Sequence, residues 1–447
     1  MSKILLVQPN EEGKETSDAS MPLGLIYIGT ALEEKKHQVM ILDRNLNYSN
    51  EYFLSLLKSN YDFVGIGTYT GKMLYDAIEV SKMVKENSNS IVIWGGFHPT
   101  IVPEQTLKNS YVDYIIRGEG EETFLKVLEL YEKGKDFSKL NGVNLNPMAN
   151  PPDINKLPLP NYNLIDLDKY SHFYASTSRG CPYKCTFCYN SYGIESIKPY
   201  RNLDFDKALQ LLEDIVYKYK RKTFTIVDDN FPSDRERMKK ICDKIKSLGI
   251  KFDAFSRANY CDIETLSYLK KAGCWQVQIG IESGSQRILN FLKKGTTVEM
   301  NAEAIKNCKR VGIFSHTSFM IGLPTETFED LKETARFIET HKPDLGGVGI
   351  FHPFPKTKLW DYCEEKKLIK EPQTTEEWAK NYPTNFSEVN MNVSEISDEE
   401  LRNYNQYLNE FINRGRYFKK VILYLKNGRF PDYRRVLSTI KYILKKS

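Results

Sequence analysis

The chain has 447 residues, 41% of them hydrophobic and 27% charged, with a formal net charge of +5. This composition excludes a disordered polymer, and so small a charge gives no ground for a nucleic-acid or polyanionic partner. The length exceeds what a single core organises and points to two domains plus an appendage.

At the N-terminus the apolar run Ile4–Val7 is too short for a signal-peptide core and reads as a first strand. No stretch approaches the ~18 to 20 apolar residues of a membrane span, so the expected location is cytoplasmic. In that reducing compartment the eight cysteines point to metal or redox chemistry rather than a disulfide framework.

Up to about residue 140, β-branched runs alternate with helical patterns. The predicted strands are Ile4 to Gln8, Val39 to Asp43, Phe63 to Gly67, Ile91 to Trp94 and Tyr114 to Arg117. Strands that are apolar throughout, separated by helices, predict a parallel sheet covered on both faces, in an open flavodoxin-like or Rossmann-like domain. Gly95 and Gly96 follow the fourth strand directly and let backbone approach a bulky ligand at the sheet's carboxyl edge. Residues 141–168 are rich in Pro and Asn and read as a linker.

A second alternating series follows, with strands His172 to Thr177, Phe224 to Val227, Phe252 to Arg257, Trp275 to Ile281, Ser315 to Ile321 and Val348 to Phe351. Amphipathic stretches such as Phe205 to Lys220 and Asp330 to His341 lie between them. Six units without a seventh and eighth predict a partial (β/α)6 barrel over residues 169–362, whose chemistry belongs at the strands' C-terminal ends. Residues 363–447 read as a small helical C-terminal region, in which Ser397 caps a helix running to roughly Arg414. From Arg414 onward there are eleven Lys or Arg against the single Asp432, leaving the rest of the chain slightly acidic. Tyr417 to Leu425 and Val436 to Leu444 mix these charges with apolar residues at near-helical spacing. Peripheral membrane contact and a packed helix with a solvated basic face both fit that pattern.

Directly after the first barrel strand stands Arg179-Gly-Cys181-Pro-Tyr-Lys-Cys185-Thr-Phe-Cys188-Tyr-Asn190. Thiolates are the usual ligands of a 4Fe-4S cluster, and three of them leave one iron open for a small chelating molecule. A structural zinc site is the rival reading, but zinc usually takes four ligands, and no second Cys or His pair lies at suitable spacing. Cys242, Cys261, Cys274, Cys308 and Cys363 are scattered and read as small core residues.

At these residues the chain resembles the radical S-adenosylmethionine superfamily, whose signature is Cys-x-x-x-Cys-x-x-Cys with an aromatic residue before the last Cys. Ile226-Val-Asp-Asp-Asn-Phe231, Ser256-Arg-Ala258, Gly280-Ile-Glu-Ser-Gly-Ser285, Gly322-Leu-Pro-Thr-Glu-Thr327 and Pro353-Phe-Pro-Lys-Thr357 resemble its later motifs in the right order, over residues 170–360. Lys356 departs from the pattern, standing where related sequences usually have Gly. The resemblance implies that Cys181, Cys185 and Cys188 ligate the cluster and that Phe187 shields it. It also implies S-adenosyl-L-methionine contacts from Asp228, Asp229, Arg257, Glu282 and Ser283, with Arg257 paired to the cofactor's carboxylate. For the carboxylates and Arg257, helix capping and mutual pairing are the alternatives.

Met21-Pro-Leu-Gly-Leu25, Tyr27 to Leu32, Val39 to Asp43, Trp94-Gly-Gly-Phe-His-Pro-Thr100 and Arg117-Gly-Glu-Gly-Glu-Glu-Thr123 resemble the cobalamin-binding domain of one large radical subgroup, over residues 1–140. The implied cobalamin contacts are Leu23, Gly24, Thr68, Tyr69, Thr70, Gly95, Gly96, Phe97, Gly118, Glu119 and Gly120. Many such domains carry Asp-x-His-x-x-Gly after the second strand. Here the segment is Asp43-Arg-Asn-Leu-Asn47, which implies base-off cobalamin without a protein His ligand, or no cobalamin at all. The loop after the third strand would then approach the lower cobalt face. For His98 a structural role is the default and a ligand role the alternative.

Together the two likenesses imply a cobalamin-dependent radical enzyme, a C-methyltransferase acting on an unactivated carbon through a 5′-deoxyadenosyl radical and methylcobalamin. The implied partners are a small-molecule, lipid or peptide substrate and an electron donor such as flavodoxin or ferredoxin. A radical cyclisation, oxidation or rearrangement without net methylation is one alternative, and a non-catalytic iron-sulfur redox protein is the other.

Overall fold

The computed structural model describes residues 1–11, 19–191, 199–382 and 387–413. The basic tail, with its membrane reading, lies outside the described residues. Among those residues, no helix is long and apolar enough to cross a membrane.

Contacts divide the chain into two compact units. Among the described residues, 1–170 and 370–382 belong to the first, while 171–191, 200–369 and 387–413 belong to the second. The division separates the stretch after the barrel into two parts, and its first part lies with the N-terminal sheet.

In the first unit, β1 (Lys3–Gln8), β2 (Gln38–Asp43), β3 (Phe63–Thr68), β4 (Ile91–Gly96) and β5 (Tyr114–Ile115) form a parallel sheet in the order β2-β1-β3-β4-β5. This is the flavodoxin-like order, and its topological switch falls between β1 and β3. Ile4, Leu5, Leu6 and Val7 of the central strand are all buried, as a strand covered on both faces requires. Residues 141–168 pack on this sheet's helices rather than crossing free space. Asn161 N–H donates to Thr30 Oγ1 at 2.8 Å, and Tyr162 is fully buried.

The second unit contains β6 (Tyr174–Ala175), an antiparallel pair β7 (Ser178–Arg179) and β8 (Arg201–Asn202), and then β9 (Thr223–Ile226), β10 (Lys251–Ser256), β11 (Cys274–Glu282), β12 (Phe314–Ile321) and β13 (Leu345–Ile350). Six of these make one parallel sheet, β13-β12-β11-β10-β9-β6, the open barrel expected from the sequence. Its first strand is shorter than His172 to Thr177, because the chain leaves the sheet after Ala175 and pairs Ser178 and Arg179 with Asn202 and Arg201.

An open barrel leaves edge strands with unpaired backbone groups. At β13 the helix Asp398–Asn413 covers that edge with asparagines spaced one turn apart. Asn409 Oδ1 accepts from Val348 N–H at 3.0 Å, while Asn409 and Asn405 donate to Val348 C=O at 2.9 and 2.7 Å. Asn413 donates to Gly346 C=O at 3.4 Å. The helix starts at a capping box, in which Ser397 Oγ accepts from Glu400 N–H and Glu400 accepts from Ser397 N–H.

Asn409→Leu strands the Val348 N–H and should destabilise the barrel by about 1–3 kcal/mol. Gln406→Leu on the exposed side of the same helix should leave the urea transition in place. Equal effects of the two substitutions would remove the edge-capping role.

Candidate functional site

The three cysteines follow β7 on a loop with little regular structure, so its shape comes from ties at several points. Cys188 N–H donates to Cys185 C=O at 3.1 Å, closing a turn. Thr186 donates from its N–H and its hydroxyl to Leu292 C=O, at 3.0 and 3.1 Å, and its own C=O accepts from Leu359 N–H at 3.0 Å. Cys185 is buried, and Cys181 and Cys188 are partly exposed. Burial pushes the Cys188 thiol up to about 12 and moves Cys181 in the same direction. Three soft sulfur ligands on one short loop suit this set to iron. Among the described residues, no three His, Cys, Asp or Glu side chains are placed to hold a single metal ion. A cubane asks for something else, since each thiolate binds a different iron.

The root of the loop is held by Asp228, which is 2% exposed. Its Oδ1 accepts from Thr177 N–H at 2.6 Å and Ser178 N–H at 3.0 Å, and its Oδ2 accepts from the Thr177 hydroxyl at 2.6 Å. Burial raises its pKa, and these bonds oppose the shift. Arg237 completes the anchor, donating to Thr177 C=O at 2.9 Å and Leu203 C=O at 2.8 Å. Asp228 is thus placed as the loop's anchor, with both oxygens engaged by protein donors. The neighbouring Asp229 is exposed, and its charge acts on the Cys181 and Cys188 thiols, raising both.

Arg257 ends β10 with its guanidinium engaged on several sides. Nη1 donates to Cys185 Sγ at 3.3 Å, Nη2 to the carbonyl of Lys294, and Nε to Asn259 at 3.4 Å. The group lies 3.7 Å from the centre of the Tyr183 ring, within cation–π range. Asn230 Oδ1 accepts from the Arg257 backbone N–H at 3.1 Å, while the buried Asn230 Nδ2 has no hydrogen-bond partner. An orphaned donor at a strand end fits a site that receives a ligand rich in acceptors.

Glu282 ends β11 at φ 70°, an uncommon conformation for a non-glycine residue. Its Oε1 accepts from Lys294 Nζ at 2.7 Å, and the two residues are 7% and 6% exposed. Gly280 makes room for the pair, because a Cβ there would sit 2.3 Å from Glu282 Oε1. Lys294 also lies 5.9 Å from the centre of the Phe187 ring, which packs against the buried cluster that contains Leu292, Leu323 and Leu359. Ser283 points elsewhere, with its hydroxyl 3.1 Å from Thr334 Oγ1 and accepting from Ser285 N–H. The structure therefore brings Cys185, Phe187, Arg257 and Glu282 together through Lys294 and sets Asp228 and Ser283 behind them. Sequence reasoning missed Lys294 and Tyr183. The Lys293-Lys294-Gly295 run carried a signal, but a lysine there also reads as surface. Lys356 keeps the left-handed backbone, φ 59°, that glycine readily adopts.

In the first unit the carboxyl edge is drawn together by small residues. Thr68 Oγ1 donates to Gly95 C=O at 3.1 Å, and Gly96 has φ 96°, where a Cβ would lie 2.4 Å from Thr68 O. Thr100 Oγ1 donates to Gly96 C=O at 2.6 Å and accepts from Gly118 N–H at 2.9 Å, joining the loops after β4 and β5. Gly24 and Gly96 are exposed, and the space a Cβ would take at Gly24 is open. Leu23, Phe97, Gly118 and Glu119 are half-buried, and Gly120 caps the helix Glu121–Glu132. Glu11 bonds the Tyr69 hydroxyl, whose pKa burial raises. Asp43 is occupied by Asn45 and by the Tyr170 hydroxyl, which donates to it at 2.8 Å. His98 is fully buried, with Nδ1 3.1 Å from Thr70 Oγ1, and burial lowers its pKa to about 3, keeping it neutral. An edge that leaves space at Gly24 and turns its one histidine inward fits a bulky ligand held by shape and backbone.

Comparison with known proteins agrees with this division. The family described as the Radical SAM superfamily matches residues 175–338, and the B12 binding domain matches residues 17–128. The uncharacterized methyltransferase PH0819 of Pyrococcus horikoshii is 33% identical over 391 residues, 82% of this chain and 84% of that protein. The anaerobic magnesium-protoporphyrin IX monomethyl ester cyclase of Rubrivivax gelatinosus is 26% identical over 446 residues, 92% of this chain and 78% of that protein. A solved structure of the radical S-adenosylmethionine methyltransferase TsrM from Kitasatospora setae, with cobalamin and a 4Fe-4S cluster bound, has TM-score 0.70 at 18% identity. It covers 83% of this chain and 80% of that one, a likeness of fold.

Asp228→Ala strands the Thr177 and Ser178 N–H groups at about 1–3 kcal/mol each. It should lower the iron retained after anaerobic reconstitution although every cysteine is present. Iron content and melting temperature equal to those of the unaltered protein would refute the anchor.

Proposed function

Because this chain belongs to the radical S-adenosylmethionine superfamily and carries a B12-binding domain, we propose that it is a cobalamin-dependent C-methyltransferase acting at an unactivated carbon of a small molecule. The observation that carries the reading is the tied loop of Cys181, Cys185 and Cys188 at the barrel's strand ends. When bound, a reduced cluster supplies the electron that splits S-adenosylmethionine to a 5′-deoxyadenosyl radical, and cobalamin supplies a methyl carrier.

The three cysteines would hold the cluster and leave one iron for the cofactor's amino and carboxylate groups. Glu282, Lys294, Asn230 Nδ2 and Asp229 are the polar groups at the strand ends best supported as its further contacts. Arg257, already committed to Cys185 and the Lys294 carbonyl, orients the loop rather than clamping the cofactor's carboxylate. Phe187 and the leucines around it keep water from the buried side. On the first unit, Thr68–Thr70, Gly95–Phe97 and Gly118–Gly120 would cradle a base-off corrinoid, with no histidine toward cobalt. A flavodoxin or ferredoxin would deliver the electron. Radical cyclisation without methylation is the second reading, favoured by the cyclase relative that spans 92% of this chain.

Reduced, corrinoid-loaded protein given S-adenosylmethionine separates the two readings. S-adenosylhomocysteine should form only when corrinoid is bound, 5′-deoxyadenosine should form only with Cys185 intact, and Cys185→Ala should abolish the second product. 5′-Deoxyadenosine alone, made equally well without corrinoid, would overturn the methyl-transfer reading in favour of cyclisation.

A further inference from the structure

Residues 370–382 follow the barrel in sequence yet belong to the first compact unit, beyond the end of the B12-binding match at residue 128. Within them the helix Thr375–Asn381 is capped by Thr374 and carries Trp378, which is fully buried. Trp378 Nε1 donates to Gln105 Oε1 at 2.5 Å, across 273 residues of sequence, and Gln105 Nε2 donates back to Pro372 C=O at 2.9 Å. Asn109 Nδ2 donates to Thr375 Oγ1 at 2.9 Å. These bonds fix the segment on the helix Pro103–Leu107 and on Asn109 just beyond it.

The same segment reaches the loop after β3 once directly and once through His98. The Trp378 ring meets the His98 ring edge-on at 6.3 Å, and His98 Nδ1 is bonded to the Thr70 hydroxyl. On the other side, Tyr382 C=O lies 3.4 Å from where a Cβ of Gly71 would be. Buried and without a hydrogen-bond partner at Nε2, His98 gains its fixed orientation from Thr70, Trp94 and Trp378. The loop Thr68–Gly71 therefore has its position set from the far end of the chain.

We propose that residues 370–382 are an integral part of the corrinoid-binding unit, with Trp378 and His98 as positioning residues for the loop that meets the corrinoid. This rests on the reading that Thr68–Thr70 line the cobalamin site. A corrinoid that binds only the ordered loop must also favour the docked segment, and the coupling is reciprocal. Trp378 then acts on affinity without touching the ligand.

The test uses the full chain, with its iron-sulfur centre reconstituted, and hydroxocobalamin as the probe. Trp378→Ala should weaken hydroxocobalamin binding, with the roughly 5- to 150-fold range of allosteric couplings as the scale. Trp378→Phe, which keeps a ring against His98 but loses the bond to Gln105, should recover part of the loss. Amide exchange in residues 375–381 should slow when hydroxocobalamin is added, while the helix Asp398–Asn413 is unaffected. Circular dichroism and the melting transition report whether each variant has folded. Should Trp378→Ala fail to fold, Gln105→Ala, which removes two of the segment's bonds, carries the same expectation. Unchanged affinity in the folded variant, or exchange at 375–381 indifferent to hydroxocobalamin, overturns the proposal while leaving the cobalamin reading intact. Failure of the unaltered protein to bind hydroxocobalamin overturns both.

Discussion

A loop that must present three thiols has few backbone hydrogen bonds of its own, so the surrounding structure has to impose its shape. In this chain the constraint is the buried Asp228 carboxylate, which gathers the Thr177 and Ser178 N–H groups and the Thr177 hydroxyl at the point where the chain leaves the sheet. Further along, Thr186 ties the loop to Leu292 and Leu359. Each of these donors would be costly if stranded in a buried place, so the loop has little freedom to drift. The positions of Cys181, Cys185 and Cys188 follow from those anchors.

The same economy governs the strand ends around the loop. Burying Lys294 and Glu282 carries a desolvation cost that is offset only by close pairing, and Gly280 supplies the space for it. Arg257 is held by a thiol, a carbonyl and an aromatic face, so its positive charge stays beside Cys185. A fixed cation and N–H donor beside a cluster sulfur are among the levers by which proteins set cluster potential.

Much of this was legible in the sequence because local rules and the fold agree. Ile4–Val7 is apolar throughout, as a strand covered on both faces is, the cysteine spacing pointed to a cluster loop, and Ser397 ahead of an acidic turn announced a helix start. What stayed hidden depends on three-dimensional neighbours. An aspartate at a strand end looks the same whether it faces a ligand, as Asp229 can, or caps its own loop, as Asp228 does. Lys294 reads as a surface lysine until its burial beside Glu282 is known. Nothing in the sequence around Trp378 says that it packs on helices of a unit whose sheet is completed more than two hundred residues earlier. The asparagines 405, 409 and 413 likewise read as a polar helix face, because the edge they cover exists only once the barrel stays open at β13.

The central claim is that three protein thiolates leave one iron of a cluster open to S-adenosylmethionine, and electron paramagnetic resonance of the reduced, reconstituted protein tests it most directly. The account predicts a 4Fe-4S signal whose g-values shift when S-adenosylmethionine is added. A signal indifferent to S-adenosylmethionine, or metal bound without any cluster signal, would contradict it.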